Sequence, residues 1–560
     1  MENVAPDLSH YRILLVDDSQ EQLETLRRLL EVESCSIVTA RSRAEALAQF
    51  QHKLFHIAIV DVRLEEHNPH NRDGLQLVRD IHRLDPGVGI IIISFHADLQ
   101  DVLELIQSLP AKTGKLGQPR SIASRYLTKT PDDLKKLPDL VYDVFQDVVQ
   151  INWKLQINDE KSVMKLVTGN LQCPTLTQPS PEQLDVELTE LLRKLFNEDP
   201  RVDLHPIASQ RSGYSKAHVI QVDKYADDVK GATQIVKIGE YPLIEHEIQC
   251  YREYIGRLSN VNRHPAALEP YRRTRTLGGM IYTFLNMSGR VVDLAEAYHR
   301  VDNQDQINHL LTNLYTDTLS MQRLYTKHLY QQVDMAAIYT QLLHLDPAVL
   351  FERQEELLTM ANAVRKGEHA PKFYLRDGTG FLNPTEFAFT EPLLNDYYET
   401  VMHGDLHGRN VLVDKRWDTW LIDFADMGKG PILHDYLTME AWLLISSVDN
   451  VPLGKLFAWS KVLFAARDEV YPELPDAFKL EPAIRKAHQS IMAVRRLAIE
   501  DRLGDRATAW RAYLIGLLFS LLRLMKSRYH PAQKRFHALI CAALVAGLLS
   551  NTPRRIGLFV

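Results

Sequence analysis

The sequence predicts a multidomain protein. An α/β domain with a doubly wound, five-stranded parallel sheet comes first, and a two-part α+β region with a large helical second part follows it. Three observations lead there. Short continuous apolar runs alternate with helical periodicity over the first 150 residues. Strand-like patterns crowd residues 200–290, around one helix near 243–258. Helical periodicity then dominates from 291 onward, interrupted by a loop-and-strand island at 371–432.

Ile13-Leu14-Leu15-Val16 is a continuous apolar run, as a strand covered on both faces requires. Leu23, Leu26, Leu29 and Leu30 follow at helical spacing. Ser36 to Thr39 reads as a strand, Arg43 to Phe50 as a helix and Ile57 to Val60 as another buried strand. Gly74 to Leu84 is helical, Gly89 to Ser94 a strand with four isoleucines in a row, and Leu99 to Leu109 helical. A last strand ends at Tyr126-Leu127, and Leu134 to Val149 is the final helix. Strand and helix alternating in this way give a parallel sheet wrapped by helices. Residues 169–183 hold three prolines among Thr, Ser and Gln and mark a linker.

The chain has 560 residues, with 65 Lys plus Arg against 72 Asp plus Glu, for a formal charge of −7. A hydrophobic share of 45% and a charged share of 24% exclude a disordered or fibrous chain. The acidic balance gives no general pull toward nucleic acid or anionic lipid. Four cysteines without paired spacing make neither a disulfide framework nor a zinc site and suit a reducing compartment. The start of the chain has no basic residue or apolar core of a signal peptide. The longest apolar stretch, Phe536 to Leu549, contains His537 and reads as too short to span a bilayer. No membrane, no nucleic acid and a cytoplasmic setting are therefore expected.

In a doubly wound sheet, ligands gather outside the carboxyl ends of the strands. Asp17 and Asp18 follow the first strand, Asp61 the third, Ser94 the fourth and Lys129 the fifth. Carboxylates converging on one sheet edge repel unless a cation joins them, and a hard ion with oxygen ligands, Mg²⁺, is the natural partner. One carboxylate can then attack a phosphoryl group and carry it. Over residues 10–150 this pattern resembles the receiver domain of two-component response regulators, a flavodoxin-like fold. The resemblance rests on the acidic pair in LLVDDS, Asp61 in IVDVRL, Asp73-Gly74, Ser94 and Lys129. It implies Asp61 as phospho-acceptor, Asp17, Asp18 and Asp61 as metal ligands, Ser94 as switch hydroxyl, Lys129 as phosphate partner and a sensor histidine kinase as phosphodonor. Two departures stand out. The segment from Glu65 to Arg72 is longer than the family habit, and Ser94 to Lys129 spans 35 residues with a basic insert around 110–124. The insert can reshape the surface used for switching or for a homodimer.

Residues 402–424 read MHGDLHGRNVLVDKRWDTWLIDF. Asn410 follows Asp405 by five positions, and Asp423 lies 13 further on. A kinase catalytic loop has this spacing of Asp and Asn, with a later metal-binding Asp. Val411-Leu412-Val413 and Trp420-Leu421-Ile422 suit a hairpin presenting Asn410 and Asp423 from opposite strands. The segment resembles the aminoglycoside phosphotransferase and choline kinase branch of the kinase-like fold. That resemblance implies a bilobal fold, Asp405 as catalytic base, Asn410 and Asp423 on Mg²⁺, ATP as cofactor, and Asp435 bracing the loop. Upstream, Gly213 and Ser215 lie in a candidate phosphate-covering loop with one glycine, and Lys237 lies in a strand where kinases place their phosphate-pairing lysine. Glu247 is its expected partner, with Glu245 and Glu253 as rivals.

The expected organisation is a receiver over 1–152, connecting helices over 153–200, an N-lobe over 201–290 and a helical C-lobe over 291–560. Three outputs follow: an ATP-dependent phosphotransferase acting on a small-molecule or protein hydroxyl, a nucleotide-binding or inactive kinase-like scaffold that works through a protein partner, or a non-enzymatic adaptor in which the receiver only controls dimerisation.

Overall fold

The structure is a computed structural model. It describes residues 10–31, 35–65, 68, 70–95, 99–106, 122–159, 161–174, 176, 179–207, 217–255, 267–283, 289–319, 328–365, 370–465, 470–499 and 506–550. These fall into two compact units. One is drawn from Met1–His205, Lys216–Ile244 and Glu269–Ile281, the other from Pro206–Ser215, Glu245–Leu268 and Tyr282–Val560.

The first unit begins with a parallel sheet of β1 (Arg12–Val16), β2 (Ser36–Ala40), β3 (Ile57–Asp61), β4 (Gly89–Ser94) and β5 (Arg125–Thr128), in the order β2-β1-β3-β4-β5. Every residue of β3 and β4 is buried, which explains their unbroken apolar runs. Helices α1 (Gln20–Leu30), α2 (Arg43–His52), α3 (Asp73–Leu84) and α4 (Leu99–Ile106) connect the strands. Ser19 and Ser42 cap α1 and α2 through their hydroxyls. The expected final helix is three pieces: α5 (Pro131–Leu134), α6 (Leu137–Val144) and a π-helical turn, Phe145–Val149. Pro131 and Pro138 each sit at a helix start, where a missing N–H costs nothing, so each begins a new segment.

The connecting region is folded rather than loose. It forms β6 (Gln156–Asn158), α7 (Val163–Asn170) and α8 (Pro181–Leu195). A Ser180/Gln183 capping box starts α8. Its Leu184, Leu188, Leu191 and Leu195 pack with Val222, Val236 and Leu277. A second sheet contains β7 (Arg201–Pro206), β8 (Ala217–Ala226), β9 (Val229–Glu240), β10 (Ala267–Arg273) and β11 (Leu277–Thr283), in the order β10-β11-β9-β8-β7-β6. Helix α9 (Tyr241–Tyr254) follows β9.

In the second unit, the strand Leu394–Met402 leads into the His403-Gly404-Asp405 loop. The expected hairpin is present, pairing Val411–Val413 with Thr419–Leu421 in the register Val411↔Leu421. Eleven of twelve residues in the helix His434–Ile445 are buried, so this helix forms the centre of the unit. Two long helices are Arg506–Lys526 and Ala532–Ser550, and the second takes in the apolar stretch Phe536–Leu549 together with the polar turn Gln533-Lys534-Arg535 before it. Both are long and apolar enough to cross a bilayer, and 78% and 61% of their apolar windows are buried within the fold.

Candidate functional sites

Parallel pairing sets Asp61 opposite Ile93 and Ser94 opposite Thr128, so the polar residues that end each strand line one sheet edge. Asp17, Asp61, Ser94 and Lys129 are all buried there, and Asp18 is half-buried. Ligand oxygens of Asp17, Asp18 and Asp61 lie within 4.8 Å of one another. Lys129 Nζ donates to Asp17 Oδ2 and to Asp61 Oδ2, each at 2.6 Å. The Lys129 amide donates to the Ser94 carbonyl at 2.9 Å, which fixes the lysine beside β4.

Burial raises the Asp61 carboxyl to about 6, against the pull of Lys129 and with a push from Asp17. Burial also raises Asp17, again opposed by Lys129. The site thus holds negative charge at a cost that a divalent cation can relieve. Three clustered carboxylates, one of them reachable from solvent, suit a hard ion such as Mg²⁺. Gly74 lies against the phospho-acceptor loop: a Cβ there would stand 1.7 Å from the Asp61 carbonyl oxygen. The longer 65–72 segment closes through Asn71, whose Oδ1 accepts from the amides of Leu64 and Asp73 at 3.0 and 3.1 Å. After Lys129, Thr130 caps α5, and Asp133 accepts from the Thr128 and Thr130 hydroxyls.

The second constellation lies in the second unit. Asp435 accepts from the His403 amide at 2.8 Å and the Gly404 amide at 3.1 Å. His434 Nε2 meets the Gly404 carbonyl at 2.9 Å, and His403 Nε2 meets the Ile422 carbonyl at 2.9 Å. Gly404 has φ +89°, and a Cβ there would lie 2.0 Å from the Asp426 carbonyl oxygen, so only glycine fits. Asn410 Nδ2 donates to the Asp405 carbonyl at 2.9 Å, and the Ile422 amide donates to the Asn410 carbonyl at 3.1 Å. Asp405, Asn410 and the strand end carrying Asp423 are therefore linked through adjacent hydrogen bonds. Asp423 is in the left-handed region at φ +68°, a strained conformation for a non-glycine residue.

Two partners of Asp405 were not readable from sequence. Arg523 Nη1 lies 3.0 Å from Asp405 Oδ1, and His407 Nε2 3.6 Å from Oδ2. Burial raises the Asp405 carboxyl, but Arg523, His407 and His403 outweigh it and hold it below the usual carboxylate range. Asp426 was also missed, although it follows Asp423 by three positions. Burial and the charge of Asp405 push its carboxyl up.

Lys237 is buried in β9 opposite Val219, in the first unit. Glu247, in the second, is buried, whereas Glu245 is half-buried and Glu253 exposed. Glu247 Oε1 accepts from the Phe424 amide at 3.0 Å and from the Tyr282 hydroxyl, which in turn receives the Asp423 amide at 3.3 Å. Glu247 thus supports the Asp423-Phe424 turn, a role the sequence did not suggest. Gly213 and Ser215 lie outside the described residues.

Two separate segments of the chain match known families. The response regulator receiver domain family matches residues 13–109. The family Ternary complex associated domain 9 matches residues 348–526, which include Asp405, Asn410, Asp423, Asp435 and Arg523. The transcriptional regulatory protein GlrR of Escherichia coli is 35% identical over 95 residues, 17% of this chain and 20% of that protein. The alginate biosynthesis transcriptional regulatory protein AlgB of Pseudomonas putida is 34% identical over 97 residues, again 17% of this chain and 20% of that protein. This chain spans about a fifth of the length of these curated relatives. Among solved structures, a receiver domain protein from Methanospirillum hungatei is 23% identical, covering 24% of this chain and 94% of its own, with a TM-score of 0.20. The N-terminal α/β domain of this chain is a response regulator receiver domain.

Proposed function

We propose that a sensor histidine kinase phosphorylates this two-component receiver on Asp61. The modified receiver then controls a kinase-like, ATP-dependent phosphotransferase built around Asp405, Asn410 and Asp423. The observation that carries the output half is the bracing of one loop: Asp435 holds the His403 and Gly404 amides while Asn410 holds the Asp405 carbonyl. Asn410 donates its amide nitrogen there, so its side-chain oxygen and the Asp423 carboxylate are the groups that would hold Mg²⁺. Mg²⁺ and ATP, when bound, supply the phosphoryl group and screen its charge. Asp405 orients the acceptor hydroxyl and takes its proton as the bond to the nucleoside diphosphate breaks. In the receiver, Lys129 and the Ser94 hydroxyl are the groups that meet the phosphoryl oxygens on Asp61.

Acetyl phosphate labelling tests the receiver half, since Asp61→Asn should abolish it. For the output, Mg·ATP should raise the melting temperature of the wild type but not of Asp423→Ala. Transfer to a hydroxyl acceptor should vanish in Asp405→Ala. A second reading is a kinase-like scaffold that works through a partner. The Asp405–Arg523 ion pair favours it, because a carboxylate so held is a weak base. The family name shared by residues 348–526, with its association in a ternary complex, points the same way. ATP binding without Asp405-dependent transfer would select it.

A further inference from the structure

A cavity of about 960 Å³ opens beside Asp405, entirely within the second unit. Its size suits a small molecule rather than a protein segment. Thr438, Ala441 and Trp442 of the helix His434–Ile445 form one wall. Gly408 lets the Asp405 loop lie directly on the Trp442 ring, because a Cβ there would come within 2.3 Å of a ring carbon.

The charge of the lining is the telling feature. Arg409, Arg523, Lys526, Arg528 and Lys534 face the cavity, against three carboxylates. Asp405 pairs with Arg523 at 3.0 Å, Asp449 with Lys534 at 2.6 Å, and Glu296 with Arg300 through one oxygen. Those pairs spend Arg523 and Lys534, so the surplus positive charge of the lining comes from Arg409, Lys526 and Arg528. The helix Ala532–Ser550 begins at the cavity edge and adds the positive end of its dipole. His530, also in the lining, is pushed down to about 4 by burial and then by Lys534, Arg409, His407 and Arg535. Several positive fields therefore converge on one point of the wall. A cationic acceptor such as choline or an aminoglycoside would meet like charge here.

We propose that this cavity binds a small molecule that carries a phosphate group; on the transferase reading above, that molecule is the acceptor. Inorganic pyrophosphate and choline chloride are the probes, titrated calorimetrically into the full chain with EDTA at fixed ionic strength. Pyrophosphate should bind and choline should not. Arg528→Glu should weaken pyrophosphate by about tenfold, the effect of reversing one partly screened charge. Arg528 is an exposed residue, and Arg528→Gln, which should weaken binding less, guards against a folding artefact. Pyrophosphate binding unchanged in both variants, or choline binding more tightly than pyrophosphate, would overturn the proposal. Arg528-dependent pyrophosphate binding in a chain that binds no ATP would uphold the anion site and remove only the transferase reading.

Discussion

Arg12 Nη2, on the first strand of the receiver, donates to Glu190 Oε1 of α8 at 2.6 Å across 178 residues of sequence. His56 Nε2 lies 3.3 Å from the same oxygen, and its Nδ1 accepts from the Arg12 amide at 2.9 Å. Nearby, Arg193 Nη1 donates to the carbonyls of Asn152, Trp153 and Leu155. These contacts sit at the strand ends opposite the Asp61 site and join the receiver to the second sheet through α8. Replacing Glu190 by Ala would strand a buried imidazole and a guanidinium, at a cost of about 3 kcal/mol. Chemical denaturation of the wild type and Glu190→Ala measures it, and a loss below about 1 kcal/mol would mean the junction is dispensable.

The same carboxylate makes this junction acid-sensitive. Burial raises Glu190, but His56, Lys194 and Arg12 bring it down to about 2 from an ordinary 4.5. A depressed carboxyl stabilises the fold above its unfolded value and loses that contribution as pH falls toward the folded value. Unit stability should therefore decline between about pH 4.5 and 2. Glu190→Gln should flatten that part of the melting-temperature profile.

Asp61 behaves oppositely. Its carboxyl is raised to about 6, so the folded receiver holds a proton there that the unfolded chain releases nearer 3.8. Ionisation costs stability as pH rises through that window, while the nucleophile is the ionised form. Acetyl phosphate labelling should rise as pH passes about 6, and added Mg²⁺ should move the midpoint lower by favouring the carboxylate. A midpoint near pH 4 without metal would contradict the buried, mutually repelling arrangement of Asp17 and Asp61.

Lys129 is the counter-charge to Asp17 and Asp61, 2.6 Å from both carboxylates. Lys129→Ala should destabilise the receiver by about 3 kcal/mol, the scale for breaking a buried ion pair. Mg²⁺ should recover part of that loss, and recover more than it adds to the wild type. Thermal melts with and without Mg²⁺ separate the two cases.

Much of the receiver was legible because β1, β3 and β4 are buried. An unbroken apolar run marks each of these three, and the polar residue that ends it marks the sheet edge, so Asp17, Asp61 and Ser94 could be placed from sequence. The Leu134–Val149 helix was misread because its period is intact while Pro138 restarts the chain within it. The prolines of 169–183 marked a linker, and α8, with leucines at 184, 188, 191 and 195, lies within the connecting helices expected over 153–200. In the second unit, spacing located Asp405, Asn410 and Asp423. No local pattern could bring in Arg523, more than a hundred residues later, or turn Glu247 toward the Phe424 amide. Those contacts depend on how helices pack, which short-range periodicity does not encode.

The Arg523–Asp405 pair yields a test that a purely structural contact would not pass. With Arg523 in place the Asp405 carboxyl stays below its ordinary range, so on the proposed transfer it is ionised across the working pH range. Arg523→Ala removes the largest opposing charge and leaves burial, together with the nearby Asp426, to push the carboxyl up. The acid limb of kcat/KM should then move to higher pH, with the plateau rate less affected than the rate at low pH. Arg523→Lys, which keeps the charge but not the planar fork, should hold the limb near its wild-type position. A uniform loss at all pH values in both variants would instead assign Arg523 to holding the helix Arg506–Lys526 in place.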